Sequence, residues 1–204
     1  MASIASVILE AADPAAAQRF CTDAFGPDSQ VQVRAGETPT TGFRGFTLSL
    51  TVSQPSGVDR LVEAAVEAGA TTVKPATKSF WGYGGVVRAP DGALWKIASS
   101  AKKDKGPATE RIDQFVLLLG VEDMAASKQF YVERGLVVGK SYGRKYVEFV
   151  TPPNSVKLAL YGHRALAKDA GVAPEGTGSH RLVIGGDRGA FTDPDGFVWE
   201  TATR

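Results

Sequence analysis

Asp193-Pro194-Asp195-Gly196-Phe197-Val198-Trp199-Glu200 repeats a phrase from the first half of the chain, Ala89-Pro90-Asp91-Gly92-Ala93-Leu94-Trp95-Lys96. Each copy is a Pro-Asp-Gly turn feeding a short apolar strand, with Pro presetting one turn angle and Gly tolerating positive φ. A second phrase recurs in the same order. The helix start Asp13-Pro14-Ala15-Ala16-Ala17-Gln18-Arg19-Phe20-Cys21 returns as Asp123-Met124-Ala125-Ala126-Ser127-Lys128-Gln129-Phe130-Tyr131, each time after an apolar run. Both pairs of copies are about half a chain apart, so an internal duplication explains them with least assumption. The copies differ in charge after Trp: Lys96 in the first, Glu200 in the second.

Between these markers the chain reads as alternating strands and helices. Residues 4–11 form an apolar strand, and Asp13-Pro14 supplies an N-cap and first-turn proline for a helix to about Ala24. Val31 to Arg34 is a further short strand. Phe46 to Val52 alternates strictly, with Phe46, Leu48, Leu50 and Val52 on its apolar face. Ser56 and Asp59 resemble a capping box before a helical stripe of Val58, Leu61, Val62, Ala65 and Val66, which Gly69 stops. Strands at 71–74, 85–88 and 93–98 then complete a β-α-β-β-β unit over 46–98.

The charged, aperiodic segment 102–108 contains Gly106-Pro107 and marks a boundary. The predicted division is an N-terminal domain over 1–101, a linker at 102–109 and a C-terminal domain over 110–204. The second unit has strands at 112–120, 136–141, 145–150 and 156–161, its helix at 123–133, and a short extra helix at 164–171. The last quarter, from Ser179, supplies three strands without a helix, because only Gly185 to Gly189 separates the first two. Residues 1–45 in turn lack two strands of a full unit. The expected class is α+β, with tandem βαβββ units forming two cupped mixed sheets and the first and last units truncated.

Composition excludes several functions. The 204 residues are 43% apolar, enough for a packed core, and the 23 basic residues nearly cancel the 22 acidic ones. No global field favours nucleic acid or an anionic membrane. Lys102-Lys103-Asp104-Lys105 is expected to be solvated linker and Arg144-Lys145 an exposed hairpin. No apolar run reaches the ~20 residues that span a bilayer, and no basic-then-apolar leader opens the sequence, so a cytoplasmic location is expected. The single cysteine, Cys21, excludes an internal disulfide and is expected to be a buried thiol beside Phe20 and Ala24. Gly84-Gly85 and Gly185-Gly186 lack the strand-glycine-helix context of a phosphate loop.

Paired β-α-β-β-β units, the D-x-x-A-A-x-x-F-Y helix start and the terminal D-P-D-G-x-x-W-E strand together resemble the vicinal oxygen chelate superfamily, which includes glyoxalase I, extradiol dioxygenases and bleomycin-resistance-type binding proteins. The resemblance implies cupped sheets that hold either a divalent metal or an organic ligand. It also implies a His or Gln in the first strand of each unit and a Glu on the last. In the N-terminal half Ser6 falls near the first position and Lys96 replaces the Glu, and an ammonium there repels a cation. In the C-terminal half His180 and Glu200 match, and Gln114 fits if a two-residue bulge before Asp123 is allowed, whereas Lys157 stands where the third unit would carry its Glu. These three would suit Zn²⁺, Mn²⁺ or Fe²⁺. The other reading pairs Glu200 with Lys157 across the cup and leaves His180 an ordinary strand histidine. The cofactor expectation is therefore none, or one divalent metal in the C-terminal half.

Phe80-Trp81-Gly82-Tyr83-Gly84-Gly85 resembles the segment that runs beside the ligand cleft in that superfamily, so Trp81, Tyr83 and Lys96 are the candidate ligand-binding residues. Trp95 and Trp199 alternate with Lys96 and Glu200 and are expected in the core. His163 is expected at the surface. Three functions compete: a non-catalytic binder of a small organic molecule, a metal-dependent lyase, isomerase or dioxygenase with its site in the C-terminal half, and an interaction protein whose cups are filled by side chains. A homodimer could supply the missing walls of the truncated units.

Overall fold

The computed structural model describes residues 2–27 and 30–202. The first unit comprises β1 (Ile4–Ala11), α1 (Pro14–Phe25), β2 (Val31–Ala35) and a short β3 (Thr40–Gly42). The second comprises β4 (Phe46–Thr51), α2 (Pro55–Glu67), β5 (Thr71–Ser79), β6 (Gly82–Arg88) and β7 (Leu94–Ser99). The third comprises β8 (Gln114–Val121), α3 (Met124–Glu133), β9 (Val138–Ser141), β10 (Tyr146–Phe149) and β11 (Lys157–Gly162). There follow α4 (His163–Ala170), β12 (Gly176–Gly178), β13 (Leu182–Gly186), β14 (Phe191–Thr192) and β15 (Val198–Thr201). No helix among the described residues is long and apolar enough to cross a membrane.

The two complete units build one eight-stranded sheet in the order β5-β6-β7-β4-β8-β11-β10-β9, joined where β4 runs antiparallel to β8. Within each unit the first strand lies parallel to the last, β4 to β7 and β8 to β11. The truncated units close on each other in a five-stranded sheet, β14-β15-β13-β1-β2, with β1 antiparallel to β13. Both sheets therefore draw strands from either side of the 102–109 segment. That segment is exposed but tied down: the Gln54 amide donates to the carbonyls of Gly106 and Pro107, and Asp104 accepts from the Ser56 backbone.

Helix starts follow the local chemistry. The Asp13 carboxylate accepts from the Ala16 N–H at 2.9 Å, and Asp123 accepts from Ala125 and Ala126 at 2.9 and 3.2 Å, satisfying otherwise orphaned donors. The capping box expected of Ser56 and Asp59 does not form. Gln54 precedes the helix and Pro55 opens it, which frees Asp59 to accept from the Tyr83 hydroxyl at 2.7 Å.

Both sheets share one core. Trp95 and Trp199, each 1% exposed, lie in it with Phe46, Leu48, Leu117, Leu158, Val7 and Ile184. Alternation then sends Lys96 and Glu200 to the opposite faces, as the sequence predicts. The last unit has no helix of its own, and Tyr131 of α3 covers Trp199 instead. Their rings lie 5.7 Å apart, and the Tyr131 hydroxyl donates to the buried Asp193 at 2.6 Å while accepting from Trp199 Nε1 at 3.3 Å. Cys21 is buried against this core and burial pushes its thiol up to about 12, so it holds a neutral, unreactive form.

The pair β3 and β12 forms a separate ribbon that the sequence reading misses. Gly42 is required there, because a Cβ would lie 2.2 Å from the Glu175 carbonyl oxygen and its φ is +68°. Such close backbone packing leaves no apolar alternation to read.

Candidate functional site

Register shows which residues occupy equivalent places in the eight-stranded cup. Ser49 faces Val116 across the central pair, Lys96 lies beside Ser49, and Lys157 lies beside Val116. Lys96 and Lys157 are thus related by the local two-fold between the units, on the concave face. Each ammonium has a carboxylate: Lys96 Nζ lies 2.5 Å from Asp169 Oδ2, and Lys157 Nζ donates to Glu148 Oε1 at 3.0 Å. Burial works against the Glu148 carboxylate, but hydrogen bonds from Lys157 and Tyr146 outweigh it and hold its pKa below the usual range.

Gln114 lies on the same concave face, two residues from Val116 and opposite Thr51. Glu200 does not face it. Trp199 and Phe115 both enter the shared core, so their neighbours Glu200 and Gln114 point away from it on different sheets. Both Glu200 carboxylate oxygens accept from Arg34 Nη1, at 3.0 Å each, and Arg34 also reaches Glu10 at 2.8 Å. The predicted pairing of Glu200 with Lys157 is replaced by this triad on the five-stranded sheet.

Register displaces His180 from the place that the resemblance implies. Ser6 pairs with Gly185, and Gly185 pairs with Glu200, so the first-strand place beside Glu200 belongs to Gly185. His180 precedes β13. Its Nδ1 lies 2.6 Å from the Arg44 carbonyl, its Nε2 lies 3.1 Å from the Asp195 carbonyl, and the ring stacks on Phe197 at 4.0 Å. This histidine clamps the second Pro-Asp-Gly turn to the segment before β4. The first such turn is held by Arg44, whose guanidinium donates to the Asp91 carbonyl.

A divalent metal is what the resemblance implies, and these side chains do not fit one. The pair of positions on β7 and β11 carries lysines, Glu200 is engaged by a guanidinium, and both imidazole nitrogens of His180 face carbonyl oxygens. Among the described residues no three His, Cys, Asp or Glu side chains converge.

The cup is also partly filled. Leu166, Ala167 and Ala170 of α4 are buried against Phe43, Val86 and Leu94, with Leu118 and Tyr161 packed on them. His163, expected at the surface, is half-buried at the start of α4, where Nε2 meets the Pro174 carbonyl at 2.8 Å and the ring packs on Phe43. Over β5, β6 and β7 the concave face keeps a cavity of about 140 Å³ bordered by Lys74, Ser79, Trp81, Gly84, Lys96 and Asp169. Tyr83 borders it as well, yet its hydroxyl is turned to Asp59 on α2, and that bond raises its pKa to about 12. Tyr83 therefore belongs to the helix-side packing. Among the described residues the ring of Trp81, 84% exposed at the β5–β6 tip, has no such tie beyond Phe80 at 5.0 Å.

Two further depressions are built differently. One of about 190 Å³ beneath the β3–β12 ribbon has its buried cation, Arg44, already at Asp91. Another of about 320 Å³ sits at the start of α3 among loop ends.

In sequence, no family model and no curated protein matches the chain. In structure it is similar to glyoxalase I from Zea mays, with a TM-score of 0.63 and 13% identity over 98% of this chain and 91% of that one. It is also similar to a putative dioxygenase from Bacillus subtilis subsp. subtilis str. 168, with a TM-score of 0.62 and 12% identity over 98% and 84% of the two chains. At such identity the likeness speaks for the backbone alone, and with the paired βαβββ units it is sufficient for that: the chain has a glyoxalase-like fold.

Proposed function

We propose that this protein binds a small organic molecule in the cup of its eight-stranded sheet, without metal chemistry. One observation carries the reading: Lys96 and Lys157 take the two symmetry-related places on the strands flanking the central pair, where a carboxylate would be needed to hold a cation. Fixed ammonium groups there oppose a divalent ion by direct repulsion. Lys96 opens instead onto a cavity with Trp81 at its rim. At about 140 Å³ the space is smaller than the ~300 Å³ at which drug-sized pockets begin, so it suits a small molecule or one ring of a larger one.

The test is a protein-observed NMR titration against a small-fragment collection with EDTA present throughout. Binding that perturbs Trp81, Gly84, Lys96 and Ala98 together supports the reading. Binding that requires added Zn²⁺, Mn²⁺ or Fe²⁺ contradicts it. A second reading, an interaction protein with filled cups, draws support from α4, whose apolar face already occupies part of the concave surface. It expects no fragment to perturb those residues.

A further inference from the structure

Resting on that reading of the cavity, we propose that its ligand is a small planar monoanion, a carboxylate or enolate, whose charge is received by Lys96 and Lys74. The charged groups bordering the cavity are two lysines and one aspartate, so the lining has a net positive charge for one anionic group to balance.

The hydrogen-bond inventory points the same way. An ammonium carries three N–H donors. Lys96 spends one on Asp169 Oδ2 and Lys74 spends one on the Asp169 backbone carbonyl, which leaves two on each. Two of the hydroxyls nearby are already engaged: Ser79 Oγ accepts from the Trp81 N–H, and Ser99 Oγ accepts from the Ala101 N–H. A surplus of charged donors facing few free acceptors is complementary to a ligand rich in anionic acceptor atoms.

Shape supplies the planar body. On the concave side β6 and β7 present Gly84 opposite Ala98, so no large side chain fills the floor between Lys96 and the rim. Trp81 gives that rim a flat face free to lie over a ring. Asp169 sits at the end of α4, where the helix dipole disfavours a carboxylate, so its hold on Lys96 is open to competition from a ligand carboxylate.

Benzoate, benzamide and benzylamine share a ring and differ in charge, which makes them suitable probes for NMR titration of the full chain. Benzoate is expected to shift Gly84, Lys96, Ala98 and the Trp81 indole, and to bind about tenfold or more tightly than benzamide; benzylamine is expected to leave these signals in place. Lys96→Gln should weaken benzoate by about tenfold, Lys96→Arg should retain it, and Asp169→Asn should tighten it by removing the competing carboxylate. If Lys96→Gln does not fold, the ranking of the three probes on the parent protein decides. Benzamide or benzylamine matching benzoate at these residues overturns the anion assignment and leaves the cavity reading standing. If none of the three, at millimolar concentration, moves these signals, both fail.

Discussion

A histidine at the head of a strand looks like a ligand until its two nitrogens are accounted for. His180 sets them against the carbonyls of Arg44 and Asp195 and lays its ring on Phe197. Replacing it with Ala removes the ring N–H available to these carbonyls and the stack on Phe197, and the expected loss is about 1–3 kcal/mol by urea denaturation. Metal content should not change, because the imidazole is a clamp between two turns. Glu148 gives a second residue-scale expectation. Its folded pKa is depressed below the ordinary carboxylate value, so its contribution to stability is complete above that value and is lost as pH falls through the folded one. Glu148→Gln should flatten the acid limb of the stability profile below ~4.3, the ordinary glutamate value, measured by denaturation at a series of pH values. Equality of the Lys96 and Lys157 positions was legible in the sequence, since both follow directly from aligning the last strands. The displacement of His180 was not, because it follows from the pairing of β13 with β1 and β15, which sets Gly185 between Ser6 and Glu200, and no side-chain pattern announces that register.

Helices α3 and α4 each cover something outside their own unit. Tyr131 of α3 closes the core over Trp199, where the fourth unit has no helix, and donates a hydrogen bond to Asp193. Tyr131→Phe should cost about 1–3 kcal/mol by leaving the buried Asp193 carboxylate short of a donor, as read from chemical denaturation. Leu166 of α4 is 1% exposed in the cup. Leu166→Ala should cost about 2–5 kcal/mol and raise amide exchange along α4 before the rest of the molecule, because the cavity opens under a short helix. The sequence showed that an extra helix was present at 164–171 but not where it docks. An apolar stripe says that a face is buried, whereas the surface it meets is set by the chain's return through the β3–β12 ribbon.

At the scale of the whole molecule, the duplication reads twice, but the sheets do not follow sequence order. The second and third units join through β4 and β8, and the first and last close through β1 and β13. Truncation explains the difference in size: β2 lies directly beside β1, in the place that β7 takes beside β4, and the last unit has lost its helix and one strand. One cup is thus complete and carries lysines at its symmetry-related places, while the smaller sheet holds Glu200 under Arg34. The central claim is that neither arrangement holds a metal. Elemental analysis of the purified protein after incubation with Zn²⁺, Mn²⁺ and Fe²⁺ and exhaustive dialysis tests it most directly: the account predicts far less than one ion per chain and an unchanged melting temperature with EDTA, whereas one ion per chain that survives dialysis, and whose removal lowers that temperature, would contradict it.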